Sequence, residues 1–408
     1  MGAAYQYQEN AELSAASFTR AYQLRDRLTE RDRLNTEVIY YGSVMGDWEN
    51  GYSAVVRLVQ IFPRDVFAHI NLGSAFQHLG QPDRAADECA EAARLQPSSY
   101  YLGKAAATSR VASRFSEAKS WLEKAEALKL DNSDIRHERL TVAFATGDQD
   151  TVEKILKEEE RGGRREEFLL AHSLIEIYQG RLHSAERLRR QALGQASKAS
   201  DADWWVVKAP LEDAEVGMDA HARRDASRID QSKLDRDNKI VLALVLARPG
   251  GIEEAGKLAD QIGAERPQDT LVQNYLVPTI RAAIKLQQHD PAAAIDLLRA
   301  SAKYDLAYTD SFDYVYPAYI RGLAYLELGD GRSAAAQFQK LIDNRGLTVR
   351  HVTGPLAWLQ VEDLRLPTNA SSLQRYASHL QPIRGRPWHG LPANRDETAA
   401  DRILQQRT

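Results

Sequence analysis

Cysteine is almost absent: Cys89 is the one cysteine in 408 residues, so neither an intrachain disulfide framework nor a cysteine-rich metal site can be built. Long apolar runs are missing too, and no stretch approaches the roughly 18 residues that a membrane-spanning helix needs. The opening MGAAYQYQENAEL has no basic-then-apolar leader. As written, the sequence therefore reads as cytoplasmic and without a membrane span. An extracytoplasmic location stays open if an upstream membrane segment is missing. Charge of one sign is lacking as well: the formal net charge is -4 with 27% charged residues, so no global field calls for nucleic acid or a membrane surface.

Chemical motifs are equally scarce. The ten histidines are dispersed, with no H-E-x-x-H pair, and no G-x-S-x-G elbow occurs. His69 and His78 share a helix without needing to converge. Glu158-Glu159-Glu160 reads as a solvated helix end. Arg187, Arg189 and Arg190 form a patch too small to argue for nucleic acid. Trp204 and Trp205 read as packing between helices. No catalytic residue, metal ligand or cofactor is assigned.

What the chain does contain is a period. Residues 65–97 read as two apolar-periodic segments around Leu79-Gly80-Gln81-Pro82-Asp83. Leu72, Phe76 and Leu79 recur at helical spacing on one side, and Ala85, Cys89, Ala92 and Leu95 on the other. Gly80 suits a helix end and Pro82 a helix start. Gly73, Ala85 and Ala92 are small where two antiparallel helices approach closely. The turn marker returns at Gly46-Asp47, Gly80-Gln81, Ser113-Arg114, Gly147-Asp148 and Gly180-Arg181, at intervals of 34, 33, 34 and 33. A small residue follows at Gly51, Ala85, Ala118 and Ala185, with Val152 the exception. Four residues on come Val55, Cys89, Leu122, Leu156 and Arg189, where Leu188 can replace the arginine. Cys89 is accordingly expected to be an inert buried thiol.

Leu72-Gly73-x-x-Phe76, Ala85-x-x-x-Cys89 and Pro97 resemble the tetratricopeptide pattern, with His69 in place of its tryptophan. The expected fold is all-α: a tetratricopeptide-type α-solenoid, a right-handed superhelix of antiparallel helix pairs. Four segments are expected. Residues 1–31 hold a lone second helix of a truncated unit, 32–197 an N-terminal array and 198–360 a second array. In that second array the phase blurs over 198–237 and is clear again at 319–343. Residues 361–408 read as an irregular tail. Pro367, Pro382, Pro387 and Pro392 interrupt it, with short helices possible at 371–380 and 398–406. The tail is either native disorder or the product of a frameshift near 358–364, which would have destroyed the helix that should cover the last repeat.

The runs DTLVQNYLVPTIRAAIKLQQHDPAAAIDLLRASAKYDL and YPAYIRGLAYLELGDGRSAAAQFQKLIDNRG resemble the tetratricopeptide half of bacterial, especially acidobacterial, serine/threonine protein kinases. The segment from Ala21 to Asp65 is similar to the same half. In that family a kinase domain and usually a membrane helix precede the array. The chain has no Gly-rich phosphate loop, His-Arg-Asp loop or Asp-Phe-Gly, so no kinase activity is carried over. The resemblance implies protein recognition beside an output domain. Similar arrays also follow winged-helix DNA-binding domains, which leaves a transcriptional regulator lacking its DNA-binding half as the alternative.

First helices of such pairs build a concave wall. Its expected groove residues are Arg33, Thr36, Glu37 and Tyr40, then Phe67, Asn71, Ser74, Gln77 and His78, then Tyr100 and Lys104. The expected partner is a protein or peptide. Asn71 and Lys104 fall where carboxylate-clamp arrays place an Asn and a basic residue, but Thr36 and Tyr40 stand where that clamp needs Lys and Asn.

Overall fold

In the computed structural model of the chain, residues 11–159, 165–193, 199–248, 250–308 and 315–365 are described. Helix α1 (Ala11–Gln23) precedes a run of antiparallel pairs. These are α2 (Glu30–Ile39, prolonged by a wide turn over Tyr40–Met45) with α3 (Trp48–Ile61), α4 (Val66–His78) with α5 (Pro82–Leu95), and α6 (Ser99–Val111) with α7 (Phe115–Ala127). There follow α8 (Ser133–Thr146) with α9 (Gln149–Glu159), α10 (Arg165–Tyr178) with α11 (Leu182–Leu193), and α12 (Ala199–Glu215) with α13 (Asp219–Ala226). The last pairs are α14 (Arg236–Ala247) with α15 (Ile252–Glu265), α16 (Val277–Gln287) with α17 (Pro291–Leu297), and α18 (Tyr316–Glu327) with α19 (Gly331–Asp343). A single turn α20 (Arg345–Thr348) and helix α21 (Thr353–Arg365) complete the set, and no strand occurs among the described residues. The all-α solenoid is thus what the chain forms.

The period has a local cause. Asp47, Asp65, Ser98, Asn132, Asp235, Asp290 and Asp330 each cap a helix by accepting the backbone N–H three residues on. At the turn inside every pair after the first, one backbone bond repeats. The N–H of Gln81 donates to Phe76, Arg114 to Ser109, Asp148 to Ala143 and Arg181 to Glu176. The late pairs do the same at Met218, Gly251, Asp290 and Asp330. This closure needs a left-handed residue. Gly80, Gly147, Gly180, Gly217 and Gly329 supply it, while Ser113 and His289 adopt it without being glycine.

Packing inside a pair is close. A Cβ on Gly73 would lie 2.7 Å from the Cys89 sulfur, and one on Gly322 would lie 2.7 Å from Cζ of Phe338. These are equivalent positions in two distant pairs, each with a small residue under a larger one. Ala85, Ala118, Ala185, Ala222, Ala255, Ala294 and Ala334 fill the matching small position and are fully buried. Cys89 is 1% exposed, and burial pushes its thiol up to about 11, which suits an inert role. Leu188 does fill the apolar place, packed with Leu169, Leu170 and Ala192. Arg189 is buried beside it and not part of a surface basic patch, its guanidinium pairing with Glu212 (3.3 Å) and Asp213 (2.7 Å) on α12.

The chain end differs from expectation. The apolar period does not stop at 359: α21 runs through the boundary drawn at 361, with Leu356, Ala357, Leu359 and Val361 buried in one cluster with Phe338 and Leu341 of α19. A helix therefore covers the last pair, against the expectation that none could form. The irregular tail beyond 365, its two short helices and residues 1–10 lie outside the described residues. So do the boundary at 197/198 and the side chains of Trp204 and Trp205.

The solenoid also meets itself. The turns at 46, 80 and 113 touch segments near 269, 305 and 346, in the same order along both stretches. At the first contact Thr270 N–H donates to the Gly46 carbonyl (2.9 Å), Trp48 N–H to Thr270 Oγ1 (3.1 Å) and Arg266 to the Val44 carbonyl (2.7 Å). At the second, Tyr308 N–H donates to the Gln77 carbonyl, and Glu49 accepts from Lys303 Nζ (2.6 Å) and the Tyr304 hydroxyl (3.0 Å). At the third, Arg110, itself paired with Glu138, donates to the Gly346 carbonyl, and Gly346 N–H donates to Ser113 Oγ (3.2 Å). Successive superhelical turns are thereby joined along a seam.

Candidate protein-binding groove

The inner wall of the first three pairs is formed by α2, α4 and α6. On α4, Phe67, Asn71 and Ser74 share one face at helical spacing and are half-buried. Asn71 Nδ2 donates to the Phe67 carbonyl (2.8 Å) and Ser74 Oγ to the Ile70 carbonyl (3.1 Å), both within the helix. Asn71 and Ser74 thus bond within their own helix, while Phe67 packs on the cluster that includes Leu34 and Val38 of α2. On α6, Tyr100 is 57% exposed, set edge-on to Tyr101, with Lys104 one turn further on and half-buried.

The α2 residues are more engaged. Arg33 pairs with Glu37 (3.3 Å), and Thr36 Oγ1 donates to the Asp32 carbonyl (2.7 Å). The Tyr40 ring stacks at 3.8 Å on Tyr22 of α1. The Tyr22 hydroxyl also lies 2.7 Å from that of Tyr41, and this contact together with burial pushes Tyr41 up to about 12. Tyr40 therefore adjoins α1, and Glu37 lies 3.8 Å from Arg25 just after it.

Gln77 and His78 sit elsewhere. Gln77 is buried, its carbonyl accepting from Tyr308 across the seam, and the His78 ring stacks on Trp48 at 3.6 Å. Both belong to the seam. There a cavity of about 150 Å³ is lined by Trp48, His78, Arg236, Asp237 and Asp269 among others. His69, on the opposite side of α4 from the groove, bonds Glu88 (2.6 Å) and the Pro63 carbonyl (3.0 Å). Burial opposes its charge, but those two acceptors outweigh burial and raise its pKa.

Further along, the wall is occupied by the chain itself. Arg345 lies over the Phe115 ring (4.7 Å), and Val349 and Arg350 share a small cavity with His137, Thr141 and Phe144 of α8 and with Leu174 and Ile175 of α10. A Cβ on Gly354 would lie 3.2 Å from the Tyr178 hydroxyl. Nothing in the sequence pattern signalled these seam and infill residues, because they join positions more than 170 residues apart. Among the described residues no His, Cys, Asp and Glu cluster could hold a metal, and no helix is long and apolar enough to cross a membrane.

No family model and no curated protein sequence matches the chain. Among solved structures, the chain is similar to a tetratricopeptide repeat protein from Parabacteroides merdae, with 16% identity, 70% of this chain and 98% of that one covered, and a TM-score of 0.28. It is also similar to yeast Tom70, with 10% identity, 87% and 95% covered and a TM-score of 0.28. A third is the Cut9–Hcn1 hetero-tetramer of the APC/C, with 13% identity, 99% and 88% covered and a TM-score of 0.33. Likenesses this low carry no weight for shape or partners, and the solenoid assignment rests on the chain's own turns and pairs.

Proposed function

We propose that the protein is a non-catalytic protein-interaction module that presents the inner wall of α4 and α6, with the edge of α2, to a segment of a partner protein. The observation that carries this reading is Tyr100. A large aromatic side chain 57% exposed on an inner helix, beside Lys104, is unusual in a solenoid that otherwise fills its wall with its own chain. Tyrosine is among the residue types that dominate binding energy at protein interfaces. Asn71 adds a side-chain amide able to pair with a peptide backbone.

The finer reading is that the module is the regulatory half of a serine/threonine kinase system, which rests on the sequence resemblance alone. Affinity capture from the source organism tests both parts, comparing parent protein with Tyr100→Ala and Lys104→Glu. The reading expects a protein captured by the parent and lost at least tenfold in both variants, whose purified form then binds the parent directly. A kinase among the captured proteins supports the finer part, and a winged-helix regulator replaces it. Equal capture by parent and both variants overturns the site.

A further inference from the structure

The seam holds a cavity of about 150 Å³ beside its first contact. One side comes from the first pair and the end of α4, through Gly42, Ser43, Trp48 and His78. The other comes from α14 and the approach to α16. Two π-helical turns occur among the described residues, at Tyr40–Met45 and Val272–Leu276, and both line this space. Such turns are rare and are frequent at functional sites, where the widened backbone re-aims its side chains. That two of them, from distant parts of the chain, meet at one cavity marks it out from the rest of the seam.

The lining is divided by chemistry. Ile240, Leu271, Val272 and Leu276 are apolar, while Arg236, Asp237 and Asp269 are charged. Asp269 is 5% exposed, and its Oδ1 accepts from the N–H of Leu271 (3.1 Å) and of Val272 (3.0 Å). Its Oδ2 has a long contact to the Arg236 guanidinium (3.4 Å), against about 2.7–2.9 Å for a full charge-assisted bond. Arg236 gives its short bond to Asp237 instead, through Nε (2.6 Å). Burial pushes the Asp269 carboxyl up, against the Val272 N–H and the charges of Arg236 and Arg266. Asp269 Oδ2 thus has room for a closer cation, and the guanidinium has N–H donors beyond those it spends on the two carboxylates.

A ligand with one charge would meet a like charge here. A cation would face Arg236, and an anion would face Asp237 and Asp269. A zwitterion satisfies both, with its ammonium on Asp269 Oδ2 and its carboxylate on Arg236. The 3.4 Å between those two groups requires both ligand charges to sit on one carbon. The apolar part of the lining then takes a short aliphatic side chain. A cavity of this volume holds a molecule about as large as benzene in an engineered core. We propose that the seam cavity binds a small aliphatic α-amino acid, of the size of valine or leucine, and that its occupancy holds the two superhelical turns together. This site lies apart from the wall around Tyr100 and does not rest on that reading.

Titration calorimetry on the full chain with L-valine and L-leucine tests the proposal, with valinamide and isovalerate as probes that keep one charge each. Saturable binding of at least one amino acid is expected, with both single-charge probes at least tenfold weaker. Arg236→Gln and Asp269→Asn should each weaken the amino acid at least tenfold. Amide exchange on the parent adds a readout that needs no variant. The bound amino acid should slow exchange at least threefold at Trp48 and Thr270, whose N–H groups bond across the seam, and leave α8 and α9 unchanged. Absence of saturation by about 10 mM of either amino acid would end the proposal. So would equal binding of a single-charge probe, full affinity in either variant, or unchanged exchange at both amides.

Discussion

Replacing Gly346 with alanine puts a methyl group where two stretches of backbone cross. The new Cβ would overlap the Arg110 carbonyl oxygen and stand 2.8 Å from its carbonyl carbon and 3.1 Å from Ser113 N. These are main-chain atoms at the end of α6 and in its turn, so no side-chain rotation relieves the overlap. Gly346 does not have a positive φ, and the substitution is otherwise well tolerated by the backbone. The two strands must separate at this point.

Separation breaks the Ser113–Gly346 bond, worth about 1 kcal/mol, and the bond from the Arg110 guanidinium, worth about 1.5–3 kcal/mol. Arg110 keeps Glu138, so no buried charge is left alone. Alanine returns up to about 1 kcal/mol of helix propensity in the single turn α20. The net cost is about 1.5–4 kcal/mol, a loss of roughly 10- to 700-fold in protection against hydrogen exchange, at about 1.4 kcal/mol per tenfold. The amide of Gly346 itself is replaced by that of the new residue, and those of Leu347 to Val352 extend the readout. Amides within α4 and α5, remote from the contact, should not change. If protection over 345–352 falls by less than threefold, the third seam contact is not formed as described.

The other predictions address the pairs, the wall and the acid response. Ala85→Arg forces a long cation into a fully buried position and should cost about 3 kcal/mol or more, read as a lower urea midpoint; an unchanged curve would refute the repeat phase. Gly73→Ala should destabilise by about 1–3 kcal/mol because its methyl meets the Cys89 sulfur, and adding Cys89→Ala should recover part of that loss; strict additivity would refute the contact. Tyr100→Ala should change the unfolding free energy by less than about 0.5 kcal/mol, read from urea melts followed by circular dichroism, since its side chain is largely exposed. His351 is held well below 6.5 by burial first and then by Lys208 and Arg350, so it stays neutral in the fold while it protonates in the unfolded chain. Its contribution is therefore intact above pH 6.5 and declines as pH falls below it. His69, with a raised pKa, has the opposite sign: its contribution is present below 6.5 and fades as pH rises through its folded value. Subtracting the pH profile of His351→Asn from that of the parent isolates the first effect, and superimposable profiles would refute it.

The sequence was legible where structure is local. Capping aspartates, left-handed turn glycines and the alternation of small and large residues inside a pair all act within about 35 positions, and they mark the helix pairs even at 319–343. The seam was illegible for the same reason. Gly46 and Gly80 were explained in full by their helix ends, yet each also stands under a second chain segment. A Cβ on Gly46 would strike the Asp269 carboxylate, and one on Gly80 would lie 3.3 Å from Ala307 N. One residue type met two demands, and only the local one leaves a pattern. Of the residues expected in the groove, Gln77 and His78 lie one turn beyond Asn71 and Ser74 on α4 and are taken by the seam.

The two ends of the described solenoid follow from a single requirement, that no apolar helix face be left bare. At the start of the described residues, Tyr22 of α1 lies on Tyr40 (3.8 Å), and Arg25 lies over the Tyr22 ring (4.1 Å). At the far end α21 takes the place of the next inner helix and buries Leu356, Leu359 and Val361 against α19. Its amphipathic pattern was hidden by Pro355 and by the prolines that follow 365. Pro355, however, falls in the first turn, where a missing N–H costs nothing. The connection into α21 has to travel from the outer helix α19 back to the wall side. The direct path lies over α8, α10 and α12. Covering the last pair and filling the middle wall are thus one structural event, which is why Gly346, at its start, is the position where a single methyl group should separate the two.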